Sequence, residues 1–359
     1  MVSKKQSLRG QRKLEHIQRS LALKDGPIPS GLGDVHLIHQ AAPELALEEI
    51  DLSVAFMGKK LQTPLIINAM TGGNPEVLTI NRALARIART QGMAMAVGSQ
   101  MAALEDPTVV NTYQVVREEN PNGVILANIG ALTAPELAVQ AVEMIYADGL
   151  QVHLNVPQEL AMVEGDRNFR GLLANLQQIV ESVSVPVIVK EVGFGLSTET
   201  IVRLYETGVR WVDLGGQGGT NFIAIESQRG RNLFSPSLEG WGIPTAISLL
   251  ETLGTGLPLQ IIATGGIRSA LDIARVLALG AGLAGMAGPI LRMLLQESPE
   301  ATQQALEQIK CELRCIFLMC GARNVKELQQ KPVVVLGRTR EWLEQRGIDT
   351  SSYARRVNR

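Results

Sequence analysis

Residues 259–289 read LQIIATGGIRSALDIARVLALGAGLAGMAGP, and this stretch contains the pattern that decides the fold. Two apolar runs, LQIIATGG at 259–266 and AGLAGMA at 281–287, flank an amphipathic segment at 269–279. Runs that are almost continuously apolar, rather than alternating, are typical of parallel strands that helices cover on both faces of the sheet. Gly280 stands where the intervening helix should end. The stretch therefore predicts a strand, a helix and a second strand.

The same alternation of strand and helix patterns recurs along most of the chain. It predicts further strands at LIINAM (65–70), MAMAVG (93–98), VILANI (124–129), LQVHLN (150–155), PVIVKEV (186–192) and WVDLGG (211–216), and helices at 76–91, 134–147, 170–183, 197–207 and 243–253. Eight strands that alternate with helices predict an α/β fold, the (β/α)8 TIM barrel. A doubly wound sheet is the alternative, but no GxGxxG motif follows the first strand.

We expect a single domain over residues 1–359, because α/β barrels commonly reach about 250 residues or more as one unit. Residues 1–60 are expected to form an N-terminal extension, partly helical and then extended. Residues from about 61 to 298 form the predicted barrel. Residues 299–359 are expected to add C-terminal helices and a tail whose last dozen residues fray.

Composition argues against several classes of partner. The formal charge is 34 − 35 = −1 and aromatic residues make up 4% of the chain, so a nucleic-acid-binding surface is not expected. No apolar run approaches the roughly 18 residues of a membrane-spanning helix, and the N-terminal residues lack the apolar core of a secretory signal. Cys311, Cys315 and Cys320 form no metal-ligand pattern, which favours small buried thiols in a reducing cytoplasm. We therefore expect a cytoplasmic protein without a nucleic-acid or membrane partner.

Polar residues and glycines concentrate where the predicted strands end. In a barrel of this class the functional site lies at the carboxyl ends of the strands. Loop composition alone would explain the glycines, but it would not explain a lysine inside an apolar strand. The residues at these ends, in strand order, include Ala69, Met70 and Thr71; Ser99 and Gln100; Asn128; His153, Asn155, Gln158 and Glu159; Lys190; Thr220; Gly265, Gly266, Ile267 and Arg268; and Ala287 and Gly288.

The seventh and eighth strand ends predict a phosphate site. TGGIRS (264–269) and MAGPIL (286–291) each place glycine between a strand and the start of a helix. Backbone N–H groups at helix N-termini bind anions without needing many positive charges. Arg268 can add a direct contact to the phosphate.

Three other features leave two interpretations open. Burying Lys190 costs several kcal/mol unless it is paired or functional. It is either an ion pair with Glu191 or another rim carboxylate, or a functional amine, as a Schiff base or as a cation beside an electron-rich cofactor such as a flavin. Glu159 is either a solvated carboxylate or a Mg²⁺ ligand, since Mg²⁺ often takes only one or two protein carboxylates. His153 is either a core histidine or a ligand contact.

The motifs along the chain, taken in order, resemble those of type 2, FMN-dependent isopentenyl-diphosphate isomerases. The resemblance covers the chain from about residue 12 to about residue 330. HLN-x-x-QE together with an N-terminal RK-x-EH is the narrowest signal, whereas GGIR occurs in other FMN barrels. The motifs are RKLEHI (12–17), AMTGG (69–73), GSQ (98–100), ANIGA (127–131), HLNVPQE (153–159), EGDRNF (164–169), VPVIVKEVGFG (185–195), GGTN (218–221), WGIPTA (241–246) and GGIRS (265–269).

The resemblance implies an enzyme of isoprenoid biosynthesis that interconverts isopentenyl diphosphate and dimethylallyl diphosphate. It implies reduced FMN, Mg²⁺ and NADPH as the reductant of the flavin, and no net redox change. One proton is added at C4 and another is removed from C2, and the barrier comes mainly from positive charge at C3 that an electron-rich flavin can stabilise. Reduced FMN is then expected to be the chief acid–base group, with Gln158 orienting or relaying and Lys190 stabilising the flavin anion.

The resemblance also assigns roles to individual residues. The implied substrate contacts are Arg12, Lys13, Ser99, Gln100, Met101, His153, Asn155 and Gln158. The implied FMN contacts are Ala69, Met70, Thr71, Ser99, Asn128, Lys190, Thr220, Gly265, Gly266, Ile267, Arg268, Ala287 and Gly288. The implied metal ligand is Glu159, and the implied catalytic residues are Gln158, Lys190 and His153.

One position departs from the family pattern, because many members carry arginine where this chain has Met101. A second basic contact to the diphosphate from that loop is therefore not expected. We also expect a homo-oligomer, a tetramer or an octamer. The main alternative function is an FMN-dependent oxidoreductase of the 2-hydroxy-acid oxidase type, which needs a histidine base and an arginine clamp, and His153 is the only histidine near a strand end. A non-catalytic flavin-binding or phosphate-binding module is a third alternative.

Overall fold

The computed structural model describes residues 15, 17–19, 21, 23, 26–229, 234 and 236–356. Eight parallel strands, β4 to β11, close into a barrel in which neighbours in the chain are neighbours in the sheet. This confirms the predicted (β/α)8 fold. The strands are β1 (Val35–Leu37), β2 (Val54–Phe56), β3 (Lys59–Leu61), β4 (Leu65–Ile67), β5 (Ala94–Ala96), β6 (Ile125–Gly130), β7 (Gly149–Leu154), β8 (Val187–Glu191), β9 (Trp211–Asp213), β10 (Gln260–Thr264), β11 (Leu283–Met286) and β12 (Val333–Val335).

Helices follow the barrel strands close to the predicted positions. They are α1 (Leu78–Gln91), α2 (Met101–Glu105), α3 (Asn111–Glu119), α4 (Pro135–Met144), α5 (Val156–Ala161), α6 (Leu172–Ser182), α7 (Thr198–Glu206), α8 (Phe222–Gln228), α9 (Thr245–Gly254), α10 (Ala270–Leu279), α11 (Gly288–Gln296), α12 (Pro299–Met319), α13 (Val325–Leu328), α14 (Gly337–Gln345) and α15 (Ser351–Ala354). The hydroxyl of Ser197 caps α7 by accepting a hydrogen bond from the N–H of Thr200. Gly280, with φ of 139°, ends α10.

The hairpin of β2 and β3 closes the amino-terminal end of the barrel. Phe56 and Leu61 are buried there, and the ring of Phe56 packs edge-on against Trp211 with 5.4 Å between centroids. They pack with inward-facing apolar side chains from the barrel strands, among them Ile66, Ala94, Leu126, Ile188 and Ile262. Among the described residues, the barrel interior is therefore apolar and filled at this end, so a site in the interior is expected at the opposite end.

Polar side chains form the next layer of the barrel interior. Residues two apart on a strand face the same side of the sheet. The residue two positions after each inward apolar residue therefore also points inward. Their side chains are buried and joined by hydrogen bonds and an ion pair. We call this layer the polar floor, and it consists of Asn68, Asn128, Gln151, Lys190, Asp213 and Thr264.

The extension before the barrel and the segment after it pack together. β1 pairs antiparallel with β12, from Val35 opposite Val335 to Leu37 opposite Val333. The sequence predicted only helices after the barrel, so β12 was missed. This pairing is consistent with the single-domain prediction, which stays a prediction.

Two smaller expectations about the C-terminal part were wrong. The last dozen residues do not all fray, because α15 forms and the guanidinium of Arg356 donates a hydrogen bond of 2.7 Å to the carbonyl of Ala278. Of the cysteines on or beside α12, only Cys320 is buried, whereas Cys311 is exposed and Cys315 is half-buried. Across the described ranges, no helix has the length and apolarity needed to cross a bilayer.

Candidate active site

A cavity of about 530 Å³ opens at the carboxyl ends of the barrel strands. Each of the eight strands, or the loop that follows it, contributes to the wall. Ile17 of the N-terminal extension lies against the same cavity. The predicted site residues that line it are Ala69, Met70, Ser99, Met101, Asn128, His153, Asn155, Gln158, Glu159, Lys190, Thr220, Gly265, Gly266, Ile267, Arg268, Ala287 and Gly288.

Among the described residues, Thr71 and Gln100 are predicted site residues that do not lie in this wall. Arg12 and Lys13 are outside the described residues. Thr71 is fully buried beside the wall, and its hydroxyl has no hydrogen-bond partner among the residues that the structure describes.

Gln100 requires a correction. It is fully buried, its Nε2 donates a hydrogen bond of 2.9 Å to the carbonyl of Ala141, and its Oε1 accepts one of 2.9 Å from the N–H of Asn128. Its side chain therefore joins the end of β6 to α4, and this position does not support the expected substrate contact.

Lys190 lies in the cavity wall and also forms an ion pair. Its Nζ is 3.2 Å from Oδ2 of Asp213, and it donates a hydrogen bond of 3.1 Å to the backbone carbonyl of Glu191. The expected ion pair is therefore present, but the carboxylate belongs to Asp213 rather than to the adjacent glutamate. Because the lysine also borders the cavity, its position agrees with both interpretations, the ion pair and the cation beside a ligand.

The carboxylate of Glu191 organises the loop after β8. Its Oε2 accepts hydrogen bonds from the N–H groups of Gly193, Phe194 and Gly195 at 2.8, 2.5 and 3.1 Å. Burial raises the pKa of Glu191 to about 8, and the three N–H groups oppose that rise. Glu191 thus supports the loop next to the cavity without lining it.

Asp213 was not predicted as a site residue from the sequence, although it organises the polar floor. It is fully buried, and its Oδ2 accepts hydrogen bonds from Asn68 Nδ2 at 2.6 Å and from Gln151 Nε2 at 3.3 Å. Its Oδ1 accepts one from the hydroxyl of Thr264. The signal that singled out Lys190, an ionisable residue within an apolar strand, was present here too, in WVDLGG.

His153 joins the polar floor through Asn128. Its Nδ1 lies 2.9 Å from Asn128 Oδ1, and the Nδ2 of the same amide donates to Gln151 Oε1 at 3.1 Å. The histidine lines the cavity and is half-buried. It is thus held by the barrel interior on one side and faces the ligand space on the other.

Glu159 lies on α5, the short helix that begins directly after β7. Its Oε1 accepts a hydrogen bond of 2.7 Å from Asn155 Nδ2, and its Oε2 accepts one of 2.9 Å from the N–H of Asp166. Arg167 donates to the backbone carbonyls of Glu159 and Met162 and so braces the turn. No group of three or more histidine, cysteine, aspartate or glutamate side chains suited to a metal occurs in the described part of the chain. The site therefore offers one oriented carboxylate rather than a complete protein cage.

The eighth strand end provides the stronger of the two predicted anion sites. α11 begins in the cavity wall at Ala287 and Gly288, and no side chain caps its first turn. By contrast, the start of α10 is occupied by a reciprocal capping box between Ser269 and Asp272. Unsatisfied N–H groups and the helix dipole favour an anion at the start of α11.

These features fit the phosphate of a flavin nucleotide at this end of the cavity. Gly265 and Gly266 have φ of 106° and 71°, a backbone that only glycine adopts readily. The guanidinium of Arg268 is held there by hydrogen bonds to the carbonyls of Gly266 and Gly218 and adds positive charge. The unsatisfied hydroxyl of Thr71 is a further polar group beside the cavity wall.

The fold and the cavity define a (β/α)8 barrel with a site at the carboxyl ends of its strands. The family model of FMN-dependent dehydrogenases matches residues 158–335. A mandelate oxidase variant with the monooxide FMN adduct superimposes with a TM-score of 0.65 at 17% identity, over 88% of this chain and 95% of that chain. Mandelate oxidase with (S)-2-phenylpropionate gives 0.62 at 17% identity, over 86% and 88% of the two chains. At this identity the likeness concerns the fold alone.

Curated relatives narrow the class to one family. An isopentenyl-diphosphate delta-isomerase of Moorella thermoacetica is 54% identical over 94% of this chain and 97% of its own. Proteins of the same name from Symbiobacterium thermophilum and Geobacillus sp. are 49% and 47% identical, over 98% and 96% of this chain and 99% of each relative. The chain therefore belongs to the FMN-dependent, type 2 isopentenyl-diphosphate delta-isomerase family, as the motifs predicted.

Proposed function

We propose that this protein interconverts isopentenyl diphosphate and dimethylallyl diphosphate. The observation that carries the proposal is the near full-length identity to proteins named for this reaction, joined to a cavity that the matching motifs line. C4 of isopentenyl diphosphate gains a proton and C2 loses one, so atoms and electrons balance without a net oxidant or reductant. The same relatives favour this function over a 2-hydroxy-acid oxidase.

FMN is supported by the family, and the cavity residues fit it. We propose that Gly265, Gly266, Ile267, Arg268, Ala287 and Gly288 hold its phosphate, and that Ala69, Met70, Thr71, Ser99, Asn128, Lys190 and Thr220 hold the rest. When bound and reduced by NADPH, FMN would supply an electron-rich ring able to exchange a proton and to stabilise positive charge. Lys190, kept in place by Asp213, would favour the reduced anion electrostatically.

The diphosphate would bind at the carboxyl end of β7 with Mg²⁺. Glu159 is oriented by Asn155 and has one carboxylate to offer, and Mg²⁺ commonly combines one or two carboxylates with water and substrate phosphates. Arg12 and Lys13 precede Ile17 by five and four residues in the sequence, and Ile17 lines the cavity. We propose that these two cations complete the diphosphate site. Further contacts to the substrate as a whole would come from Ser99, Met101, His153, Asn155 and Gln158.

The side of the cavity opposite the phosphate end supplies an apolar environment. Leu132, Met162, Phe169 and Leu172 line it, and they would exclude water from the five-carbon group. Positive charge that develops on the alkene would then meet preorganised groups instead of bulk water. Gln158 would orient the alkene or relay a proton at the same wall.

An anaerobic assay with FMN, Mg²⁺, NADPH and isopentenyl diphosphate tests the function. The expected result is dimethylallyl diphosphate in large molar excess over NADPH consumed. NADPH consumption in step with product would contradict the proposal. Omission of FMN and of Mg²⁺ in parallel reactions separates the two cofactor assignments from the activity itself.

Assembly and location are proposed on the family resemblance alone. We propose a cytoplasmic homo-oligomer, a tetramer or an octamer. Light scattering coupled to size-exclusion chromatography measures the mass directly, and a monomer at the working concentration would contradict the assembly proposal.

A further inference from the structure

A continuous chain of hydrogen bonds runs from Asp213 to His153 across the polar floor. Gln151 Nε2 donates to Asp213 Oδ2 at 3.3 Å, Asn128 Nδ2 lies 3.1 Å from Gln151 Oε1, and His153 Nδ1 lies 2.9 Å from Asn128 Oδ1. Asp213 and Gln151 are fully buried, and Asn128 is 3% exposed. Bulk water therefore does not compete for the groups that link the aspartate to the amides.

The carboxylate fixes the direction of this chain. An ionised aspartate only accepts hydrogen bonds, so the atom of Gln151 that faces it must be the NH₂ nitrogen. Asp213 Oδ2 also lies 3.2 Å from the Nζ of Lys190, so the carboxylate faces donor groups here too. Asn68 Oδ1 also accepts from Gln151 Nε2, at 2.9 Å, which agrees with the same orientation.

The hydrogen-bond directions at Asn128 and His153 then follow from that of Gln151. With its nitrogen committed to Asp213, Gln151 presents an oxygen to Asn128, and Asn128 must offer its NH₂ group in return. The oxygen of Asn128 therefore faces His153, and a short contact between that oxygen and Nδ1 is favourable only if Nδ1 carries the hydrogen. The buried charge of Asp213 thereby orients three groups, Gln151, Asn128 and His153.

We propose that Asp213 is a positioning residue that holds His153, through Gln151 and Asn128, as the neutral tautomer with hydrogen on Nδ1. The other nitrogen, Nε2, then carries a lone pair. Nε2 lies 3.4 Å from the point that a Cβ atom on Gly130 would occupy. Both His153 and Gly130 line the cavity.

The tautomer decides what His153 can do for a ligand. A neutral ring with a lone pair on Nε2 accepts a hydrogen bond or a proton from a bound molecule. It cannot donate to a phosphate oxygen unless it first gains a second proton. The proposal goes beyond the isomerase function and concerns the resting protein, so it stands or fails independently of the catalysed reaction.

Nitrogen-15 spectroscopy of histidine-labelled, FMN-loaded full-length protein tests this inference, because a protonated ring nitrogen and a lone-pair nitrogen resonate far apart. The chain has four histidines, and the signal of His153 is assigned by its loss in His153→Gln. Spectra at several pH values identify the doubly protonated ring. The expected result at neutral to alkaline pH is one tautomer, with hydrogen on Nδ1.

Three variants test whether the tautomer of His153 depends on the hydrogen-bond chain from Asp213. Gln151→Met keeps the volume but removes the relay, so the amide of Asn128 can turn and a population with hydrogen on Nε2 should appear. Asp213→Asn replaces an acceptor by a group that also donates and should have the same effect where it folds. Thr264→Val is the matched control, because it removes a hydrogen bond to Asp213 Oδ1 outside the relay and should leave the tautomer unchanged.

Three outcomes would overturn the proposal. They are a parent protein with hydrogen on Nε2, a ring that keeps both hydrogens at alkaline pH, and a Gln151→Met variant with the parent tautomer. Catalytic assays do not enter the test, so failure of the isomerase proposal would be recognised separately.

Discussion

At the residue scale, the site depends on charges and amides placed inside apolar strands. Lys190 and Asp213 neutralise each other in the polar floor, and Asp213 also orients two amides. Glu159 differs, because it lies on a helix at the rim and is half-exposed. Substitutions in the floor should therefore change stability as well as function, whereas substitutions at the rim should change mainly function.

Replacing Asp213 alone should lower the free energy of unfolding more than replacing both members of its ion pair with Lys190. Asp213→Leu leaves the Lys190 ammonium buried without its partner, and we expect a loss of about 3–5 kcal/mol in the free energy of unfolding. Lys190→Met combined with Asp213→Leu should recover part of that loss. Urea denaturation followed by circular dichroism measures both, and a double variant less stable than Asp213→Leu would contradict this account.

Glu159→Gln tests the metal assignment. The amide keeps the size of the side chain, but it has no charge for Mg²⁺ and only one of the two oxygens that accept hydrogen bonds from Asn155 and Asp166. Turnover should therefore fall by about 100-fold or more, and the Mg²⁺ requirement should rise. Glu143→Gln, an exposed carboxylate on α4, serves as the control for a lost negative charge. The assignment fails if Glu159→Gln titrates with Mg²⁺ like the parent.

At the element scale, each barrel strand predicted from the apolar runs is present within a few residues. The strands could be predicted because burial on both faces requires a continuous apolar run. The short helix α5 was not predicted, since one and a half turns show no periodicity. The β1–β12 pair was not predicted because its partners are almost 300 residues apart in the chain.

The loop after β10 gives a prediction about backbone geometry. Gly266 has φ of 71°, and a Cβ atom there would lie 2.5 Å from the carbonyl oxygen of Gly218. Gly266→Ala should therefore cost about 1–2 kcal/mol of stability or more and weaken FMN binding more than riboflavin binding. Gly282→Ala is the control, because its Cβ would meet only the carbonyl of Ile261, at 3.7 Å. Equal losses for FMN and riboflavin would argue against a phosphate site at this loop.

The N-terminal segment is tied to α8 by an ion pair, which gives a prediction about substrate affinity. Arg229 Nε lies 3.0 Å from Glu15 Oε2, and Glu15 follows Lys13 by two residues. Glu15→Gln should raise the KM for isopentenyl diphosphate roughly fivefold without changing FMN affinity, since partly exposed pairs contribute about 1 kcal/mol or less.

Glu49→Gln is the matched control for that prediction. Glu49 pairs with Arg323 at 3.4 Å and is 49% exposed, against 46% for Glu15. Both variants should lose similarly little stability, and only Glu15→Gln should change KM. An unchanged KM in Glu15→Gln would show that this ion pair does not position the segment for substrate binding.

At the scale of the whole molecule, the barrel interior is divided into an apolar end and a polar end. The β2–β3 hairpin fills the first end, the polar floor lies above it, and the cavity opens beyond the floor. This arrangement separates the groups that stabilise the barrel from the groups that meet the ligand.

Because of that separation, we expect a substitution at the apolar end to lower stability without a comparable loss of FMN affinity. Phe56→Ala removes a ring that is 1% exposed and should cost about 3–5 kcal/mol in the free energy of unfolding. FMN affinity of the folded fraction should stay within about twofold of the parent, because the ring lies at the opposite end of the barrel interior from the cavity. Thermal unfolding and flavin fluorescence titration measure the two effects, and a large loss of FMN affinity would contradict the separation.

The sequence by itself determined the strand and helix order, the barrel, the rim that holds the site and the family. It could do so because periodicity, glycine placement and short motifs are local properties of the chain. Only the tertiary structure showed that Lys190 pairs with Asp213, that Gln100 turns away from the cavity and that Asn128 links His153 to a buried carboxylate. These facts depend on which side chains from different strands meet in the barrel interior. Closure of the sheet into a barrel determines those contacts, and local sequence patterns do not predict them.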